Sequence, residues 1–245
     1  MRLIGVGVGP GDPELVTLKA VRVLATAGRV FVPVLDAADT GRAEATVRAH
    51  AAHDRIDRLV FALNEPVDAR ASATGRQRRE RYWDAAGARV AGWLRETGGT
   101  AAFATIGDPN VYSTFGYLAS TVRGLLPDVV VETVPGITAM QALAAASGVP
   151  LVEGAEPLTL LPLARDLDGL DAALAGPGTV VLYKGGRHLA HVTAAITAAG
   201  RDAVYGEHLG LPDERVGPLS AVEGAAPYLA TVFAPPHRDS RGGKL

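Results

Sequence analysis

The chain has 245 residues, of which 48% are hydrophobic and 20% charged, and its formal net charge is −2. Such a chain can bury a core as one large domain or two small ones, but it has no global field to attract nucleic acid or an anionic membrane. No apolar run reaches the ~20 residues that span a bilayer. Cysteine is absent, which excludes disulfides and thiolate sites, and without a signal peptide we expect a cytoplasmic protein.

The first half of the chain alternates short apolar runs with amphipathic stretches. Strands are predicted at residues 3–7, 30–34, 59–63, 100–106 and 129–134. Helices are predicted at residues 14–27, 43–53, 76–96 and 112–123. Asp12 is the candidate cap of the first helix, and Pro33 is expected to end the second strand. The alternation predicts a mostly parallel sheet with helices on both faces.

The second half has more strands and fewer helices. Strands are predicted at residues 158–161, 179–183, 203–207, 215–222 and 228–233, with helices at 166–175 and 188–199. Because only a turn at 223–227 separates the last two strands, we expect a mixed sheet in an α+β domain. A Pro-Gly pair at 135–136 marks the boundary. The prediction is therefore an α/β domain at 1–135, an α+β domain at 136–234 and a disordered tail at 235–245.

A glycine-rich motif, GVGVGPGDP at residues 5–13, follows the first strand. A dinucleotide fingerprint G-x-G-x-x-G would need glycine at Pro10 or at Asp12, and no Gly-Lys-Ser/Thr follows for a phosphate-binding P-loop. A dehydrogenase is therefore disfavoured. The motif fits either a tight turn or a backbone segment that approaches a ligand closely.

A second motif, IGDPNVYSTF at residues 106–115, ends the fourth strand. The carboxyl ends of parallel strands are where open α/β sheets bind ligands. Asp108 either accepts hydrogen bonds from a ribose or faces a cationic ligand, or it caps the next helix with Pro109 in the first turn. These alternatives are compatible.

A third motif, PGITA at residues 135–139, ends the fifth strand. Thr138 is a plausible cap for a following helix, whose free N–H groups also suit a carboxylate or another polar ligand.

A fourth motif, LYKGGRH at residues 182–188, holds Lys184 and Arg187 beside two glycines. It is either a solvated turn or a local basic site for carboxylates or phosphate. The arginines of residues 76–81 are better explained as a charged helix face. The six histidines form no metal-ligand pattern, so no metal is expected.

Taken in order, these motifs resemble the tetrapyrrole methylase family, also called uroporphyrinogen methyltransferase-like, from Leu3 to about Phe233. The resemblance is carried by GVGPGDPEL at 7–15 with TLKA at 17–20, GDP at 107–109 and VPGI at 134–137. Stretches at 107–118, 185–189 and 207–215 are similar to the branch that methylates carbon 20 of precorrin-2, and YSTF at 112–115 is the most specific. Two features depart from the family pattern. Tyr183 stands where relatives often carry Met, and FAL at 61–63 replaces Phe-Pro-Met.

The resemblance implies two α/β domains with a cleft that holds S-adenosylmethionine largely by backbone groups, and a homodimer. It further implies methyl transfer to a small-molecule tetrapyrrole, precorrin-2, in cobalamin biosynthesis. The cofactor-binding positions carried over are Pro10, Ile106, Gly107, Asp108, Val111, Thr138, Ala139, Tyr183 and Leu209. Tyr112, Ser113, Lys184 and Arg187 are the expected substrate-binding residues, and Asp108 or Tyr112 is expected to assist proton loss.

Other functions stay open at this point. The acceptor is either metal-free precorrin-2, which we favour, or cobalt-factor II. Another methylase of the same fold, such as the one that starts sirohaem synthesis or forms diphthine, is a rival that the YSTF segment disfavours. A non-catalytic module that binds an adenosine ligand is the rival from a different class.

Overall fold

A computed structural model describes residues 1–38, 40–61 and 73–238. Backbone contacts divide the chain into two compact units, the first being Met1–Thr138 and the second beginning at Ala139. The end of the predicted third strand, at 62–63, and the predicted tail from 239 onward lie outside the described residues.

The first unit is built on a five-stranded sheet with strand order β3-β2-β4-β1-β5, and every pairing described in it is parallel. Its strands are β1 (Arg2–Gly7), β2 (Arg29–Val34), β3 (Ile56–Val60), β4 (Thr100–Thr105) and β5 (Val130–Val134). Its helices are α1 (Leu18–Thr26), α2 (Arg42–Arg48), α3 (Ala73–Thr97) and α4 (Phe115–Leu125). The predicted α/β class is confirmed.

Helices cover both faces of this sheet because alternate residues of each strand point to opposite sides. Leu3 and Phe103 pack with α3 and α4 on one face, and Ile4 and Ala102 pack with α1 and α2 on the other. With both faces buried, the strands lack polar alternation, which is the pattern that the sequence shows.

The first helix begins later than predicted. Pro13–Leu15 forms a separate turn of 3-10 helix, whose cap is Asp12, and the extended backbone at Val16 interrupts the helical path. Thr17 caps α1 instead, because its hydroxyl oxygen accepts the N–H of Ala20 at 3.2 Å.

Other boundaries of the first unit also differ from prediction, and β3 begins three residues before its predicted start at 59. Pro33 lies inside β2, opposite Leu59 of β3 and beyond the residues that pair with β4, so its missing N–H breaks no bond with β4. The second helix ends at Arg48. The fourth begins at Phe115 because Tyr112, at φ 51°, has a left-handed backbone that no helix accommodates.

The second unit contains a mixed five-stranded sheet in the order β6-β7-β10-β8-β9. The strands are β6 (Leu158–Pro162), β7 (Thr179–Tyr183), β8 (Val204–Glu207), β9 (Arg215–Pro218) and β10 (Thr231–Ala234). The β6–β7 pair is parallel and the other pairs are antiparallel. The helices are α5 (Ala139–Ser147), α6 (Leu170–Ala175) and α7 (Leu189–Ala198). The predicted mixed sheet is confirmed.

The last two strands are shorter than predicted. Strand β9 ends at Pro218, and a turn of 3-10 helix follows at Leu219–Ala221. Strand β10 begins at Thr231 because a turn joins the N–H of Ala230 to the carbonyl of Pro227, leaving Tyr228 outside the sheet and 44% exposed. No helix among the described residues is long and apolar enough to cross a membrane.

Candidate functional site

Loops from the carboxyl ends of β1 and β4 are joined by backbone hydrogen bonds in the first unit. Val8 donates its N–H to the carbonyl of Thr105 at 2.9 Å, and Gly107 donates to the carbonyl of Gly9 at 2.8 Å. The glycine-rich motif and the Asp108 motif are thereby adjacent. This end of a parallel sheet is where such folds bind ligands, as the sequence predicts.

The loop after β5 approaches both the end of β1 and the loop after β4. A Cβ atom at Gly7 would lie 2.5 Å from the oxygen of Gly107 and 2.6 Å from the nitrogen of Gly136. A Cβ atom at Gly136 would lie 2.1 Å from the same oxygen. Real Cβ atoms do not approach backbone so closely, so both positions require glycine.

Gly107 differs from these two glycines because its surroundings are open. Its φ of +68° favours glycine, and nothing lies within 4 Å of the position that a Cβ atom would occupy. The three loops therefore meet beside free space at Gly107, which is half-buried, whereas Gly7 is buried. A ligand that is held mainly by backbone groups fits this arrangement.

Asp108 joins the loops of β4 and β5. One carboxylate oxygen accepts the N–H of Asn110 at 2.7 Å, and the other accepts the N–H of Gly136 at 3.0 Å. The Asn110 side chain adds a second link, by donating to the hydroxyl of Thr133 at 3.3 Å. The helix-cap alternative is wrong, since α4 begins at Phe115. A further hydrogen bond from a ligand can still reach the carboxylate, because each oxygen has two acceptor sites.

Tyr112 and Ser113 occupy the turn that precedes α4. Tyr112 holds a left-handed backbone at φ 51°, a conformation that costs energy for a non-glycine residue. Burial raises the pKa of its hydroxyl. Ser113 donates its hydroxyl to that of Thr105 at 3.1 Å and accepts the N–H of Phe115 at 3.1 Å. Ser113 therefore fixes the turn on which Tyr112 is presented.

The other predicted residues of the first unit lie in the same loops. Pro10 is buried in the glycine-rich loop, Ile106 and Val111 are half-buried, and Thr138 is 7% exposed. The structure thus brings together the predicted positions from β1 and β4, and Gly136 connects them to the segment that leads to Thr138.

Tyr183 and Leu209 lie in the second unit, and Tyr183 contacts α5. The hydroxyl of Tyr183, at the end of β7, accepts the N–H of Met140 in the first turn of that helix at 3.1 Å. Leu209 is buried, and a Cβ atom at Gly206 would meet its side chain at 2.9 Å and that of Leu143 at 2.5 Å. Tyr183 therefore supports the helix that Ala139 begins, and Leu209 packs close to Gly206 of β8.

The predicted basic site lies in the turn after β7. Lys184 has a left-handed backbone at φ 62°, and its ammonium group lies 5.9 Å from the ring centroid of Tyr228. Arg187 donates to the carbonyls of Ala164 at 2.7 Å and Arg165 at 3.0 Å. The guanidinium of Arg187 is thus partly engaged within its own unit, whereas Lys184 stands beside an exposed aromatic ring.

Some residues that hold the loops of the site in place were not predicted from the sequence. Asn110 and Thr133 link the loops of β4 and β5, and Thr46 of α2 donates its hydroxyl to the carbonyl of Gly11 at 3.1 Å. Thr46 is 1% exposed. The one indication of this role in the sequence was a polar residue beside Val47 in a short helix. Within the described parts of the chain, no group of three His, Asp or Glu side chains could hold a metal ion.

Comparison with known proteins identifies the family of the chain. Residues 2–223 match the family described as Tetrapyrrole (Corrin/Porphyrin) Methylases. The chain belongs to this family.

The names of individual relatives are more specific about the reaction than the family description is. A protein of Sinorhizobium sp named precorrin-2 C(20)-methyltransferase is 34% identical over 97% of this chain and 96% of its own. A protein of Methanocaldococcus jannaschii named probable cobalt-precorrin-2 C(20)-methyltransferase is 37% identical over 68% of this chain and 66% of its own. Among solved structures, a uroporphyrin-III C-methyl transferase of Thermus thermophilus, complexed with S-adenosylhomocysteine, is 23% identical. It aligns over 96% of this chain and 97% of its own with a TM-score of 0.64, which shows a shared fold.

Proposed function

We propose that this protein transfers a methyl group from S-adenosylmethionine to carbon 20 of precorrin-2 in cobalamin biosynthesis. The observation that carries the proposal is the backbone-lined edge at which Gly7, Gly107 and Gly136 meet, with open space at Gly107. The full-length similarity to the Sinorhizobium precorrin-2 methyltransferase supports this acceptor.

S-adenosylmethionine supplies a methyl group that its sulfonium already activates. Pro10, Gly107 and Asp108 are proposed to hold it, together with Ile106, Val111, Thr138, Ala139, Tyr183 and Leu209. The fit rests on the open space at Gly107 and on the remaining acceptor sites of the Asp108 carboxylate, which suit ribose hydroxyls. The Thermus neighbour complexed with S-adenosylhomocysteine is consistent with this donor.

The chemistry asks for alignment more than for reactive side chains. The meso carbon of a reduced tetrapyrrole is an enamine-like nucleophile, so positioning and exclusion of water supply most of the rate. The methyl–sulfur bond breaks as the carbon–carbon bond forms, and the methylated carbon then loses its proton. Because that proton is acidic, a weak base is enough to remove it. We assign the role of this base to the carboxylate of Asp108. Tyr112, a neutral phenol near pH 7 as tyrosine ordinarily is, is proposed to donate a hydrogen bond to the acceptor.

The acceptor's carboxylates are proposed to meet Lys184 and Arg187, with Ser113 and Tyr112 nearer the reacting carbon. Binding of the acceptor should then weaken as ionic strength rises, because exposed charges are screened within about 10 Å at 0.1 M salt. A matched pair, Lys184→Met and Lys184→Arg, separates the roles of charge and chain length. An unchanged KM for the acceptor in Lys184→Met would remove Lys184 from this role.

The principal test is a competition between metal-free precorrin-2 and cobalt-factor II under anaerobic conditions with limiting enzyme. We expect faster methylation of the metal-free acceptor, with a product heavier by one methyl group. Faster methylation of the cobalt form would support the alternative suggested by the Methanocaldococcus relative's name. Methylation of neither, with binding of S-adenosylhomocysteine retained, would favour another acceptor or a non-catalytic binding module.

We also propose a homodimer, on the family resemblance, and a cytoplasmic location, on the absence of cysteine. Light scattering at micromolar concentration should give about twice the chain mass of 25.3 kDa. A monomer that persists across dilution would contradict the dimer.

A further inference from the structure

Three carbonyl groups at alternate residues of the glycine-rich loop have polar contacts with residues outside the loop. Gly107 donates its N–H to the carbonyl of Gly9 at 2.8 Å. Thr46 donates its hydroxyl to the carbonyl of Gly11 at 3.1 Å, and Nε2 of His50 lies 2.9 Å from the carbonyl of Pro13. The first of these bonds comes from the β4 loop, and the other two come from α2 and the turn that follows it.

Helix α2 is itself anchored firmly to the sheet. Glu44 has no exposed side-chain surface and accepts from Arg58 of β3 at 2.7 and 2.9 Å. Arg48 donates to the same carboxylate at 2.9 Å. Because Thr46 lies only two residues beyond Glu44 on this anchored helix, its hydroxyl has a fixed position beneath the loop.

A glycine-rich loop needs such anchors more than other loops do. Glycine has the largest conformational freedom to lose, so a loose loop pays an ordering cost each time that it closes on a ligand. An anchor that already holds Gly11 removes part of that cost before binding. The buried hydroxyl of Thr46 supplies this bond to the carbonyl of Gly11.

We propose that Thr46 is a positioning residue for the methyl donor, acting through the carbonyl of Gly11 to preorganise the loop that contains Pro10. The inference rests on the proposed function, because it takes this loop as part of the donor site. His50 gives the same loop a second support at Pro13, and Thr46 is the one whose bond is fully buried.

The test compares isosteric substitutions. Thr46→Val keeps the shape and removes the hydroxyl, while Thr46→Ser keeps the hydroxyl. Thr179→Val is the matched control, because Thr179 is also fully buried and donates its hydroxyl to a distant carbonyl, that of Leu151, at 2.5 Å in the second unit. Each protein is titrated with S-adenosylhomocysteine by calorimetry and assayed for the KM of donor and acceptor.

Thr46→Val should raise the Kd for S-adenosylhomocysteine and the KM for the donor by roughly three- to tenfold, the effect of losing one buried hydrogen bond. The KM for the acceptor should change little, Thr46→Ser should recover most of the affinity, and Thr179→Val should lower the melting temperature without weakening donor binding. Equal donor affinity in folded Thr46→Val and wild type would overturn the inference. Failure of the wild type to bind S-adenosylhomocysteine would instead count against the proposed function.

Discussion

The carboxylate of Asp108, in the loop after β4, accepts the N–H of Gly136, in the loop after β5, at 3.0 Å. Strands β4 and β5 are not neighbours, because β1 lies between them in the sheet. The bond therefore crosses the end of β1, directly above Gly7, which has no side chain to obstruct it. This contact thus joins the second and third sequence motifs across the end of the strand that leads into the first.

Substitution of Asp108 should affect both stability and donor binding. Asp108→Ala leaves the N–H groups of Asn110 and Gly136 without this acceptor, at a cost of about 1–2 kcal/mol in the free energy of unfolding. It also removes the proposed contact with the donor. Urea denaturation and calorimetric titration with S-adenosylhomocysteine measure the two effects separately.

Asp108→Asn is the matched control, since its amide oxygen can still accept one N–H but carries no charge. We expect it to retain more stability than Asp108→Ala while losing methyl transfer, if the carboxylate takes the proton. Undiminished donor binding in a folded Asp108→Ala protein would remove Asp108 from the site.

Substitution of glycine by alanine should destabilise the protein at crowded loop positions and not at open ones. Gly136→Ala places a Cβ atom 2.1 Å from the oxygen of Gly107, so the loops must move apart at a cost of roughly 3 kcal/mol or more. Gly92→Ala, in α3 with nothing within 4 Å of the new atom, should instead stabilise the protein by about 0.5–1 kcal/mol. Thermal unfolding of the two variants tests this, and equal effects of both would contradict the close approach of the loops.

The buried ion pair of α2 should make stability depend on pH. The side-chain hydrogen bond from Arg58 lowers the pKa of Glu44 below its usual value. A carboxyl whose pKa is depressed in the folded state stabilises that state above its unfolded pKa of about 4.3, and this contribution is lost as pH falls through the folded pKa. Glu44→Gln should therefore cost about 3 kcal/mol near pH 7, with the difference from wild type narrowing below about pH 4.

Urea unfolding measured from about pH 3 to about pH 7 checks this expectation, because that interval spans the ordinary pKa of a glutamate side chain, about 4.3. Glu132→Gln is a suitable control, because Glu132 pairs with Arg2 at 2.8 Å but is 44% exposed, and surface pairs contribute little. A stability difference for Glu44→Gln that stays constant across this range would exclude Glu44 as the titrating group.

Removal of the Tyr183 hydroxyl should loosen the start of α5. Tyr183→Phe deprives the N–H of Met140 of its acceptor, and such N-terminal N–H groups have no partner within the helix. We expect faster hydrogen exchange at Met140 and a loss of about 1 kcal/mol in the free energy of unfolding. Tyr183→Met should behave like Tyr183→Phe, and unaltered exchange at Met140 in both would refute the role of the hydroxyl.

The sequence by itself determined the two sheets and most of their strands. Apolar runs separated by amphipathic helices require a parallel sheet buried on both faces, and the closely spaced strands of the second half require a mixed one. The glycine motifs and Asp108 were recognisable as a site because each follows a predicted strand of the first sheet, and the ends of parallel strands share one edge.

Only the tertiary structure decided how these residues contact one another. The bond between Asp108 and Gly136 depends on strand order, which local patterns do not encode, and so does the requirement for glycine at position 7. The left-handed backbone of Tyr112, which delays α4 to Phe115, is imposed by its loop and overrides local helix propensity. The bond from Thr46 to Gly11 likewise depends on packing, because it joins residues far apart in sequence. Its acceptor is a backbone carbonyl, and since every residue carries one, the sequence does not single out this partner.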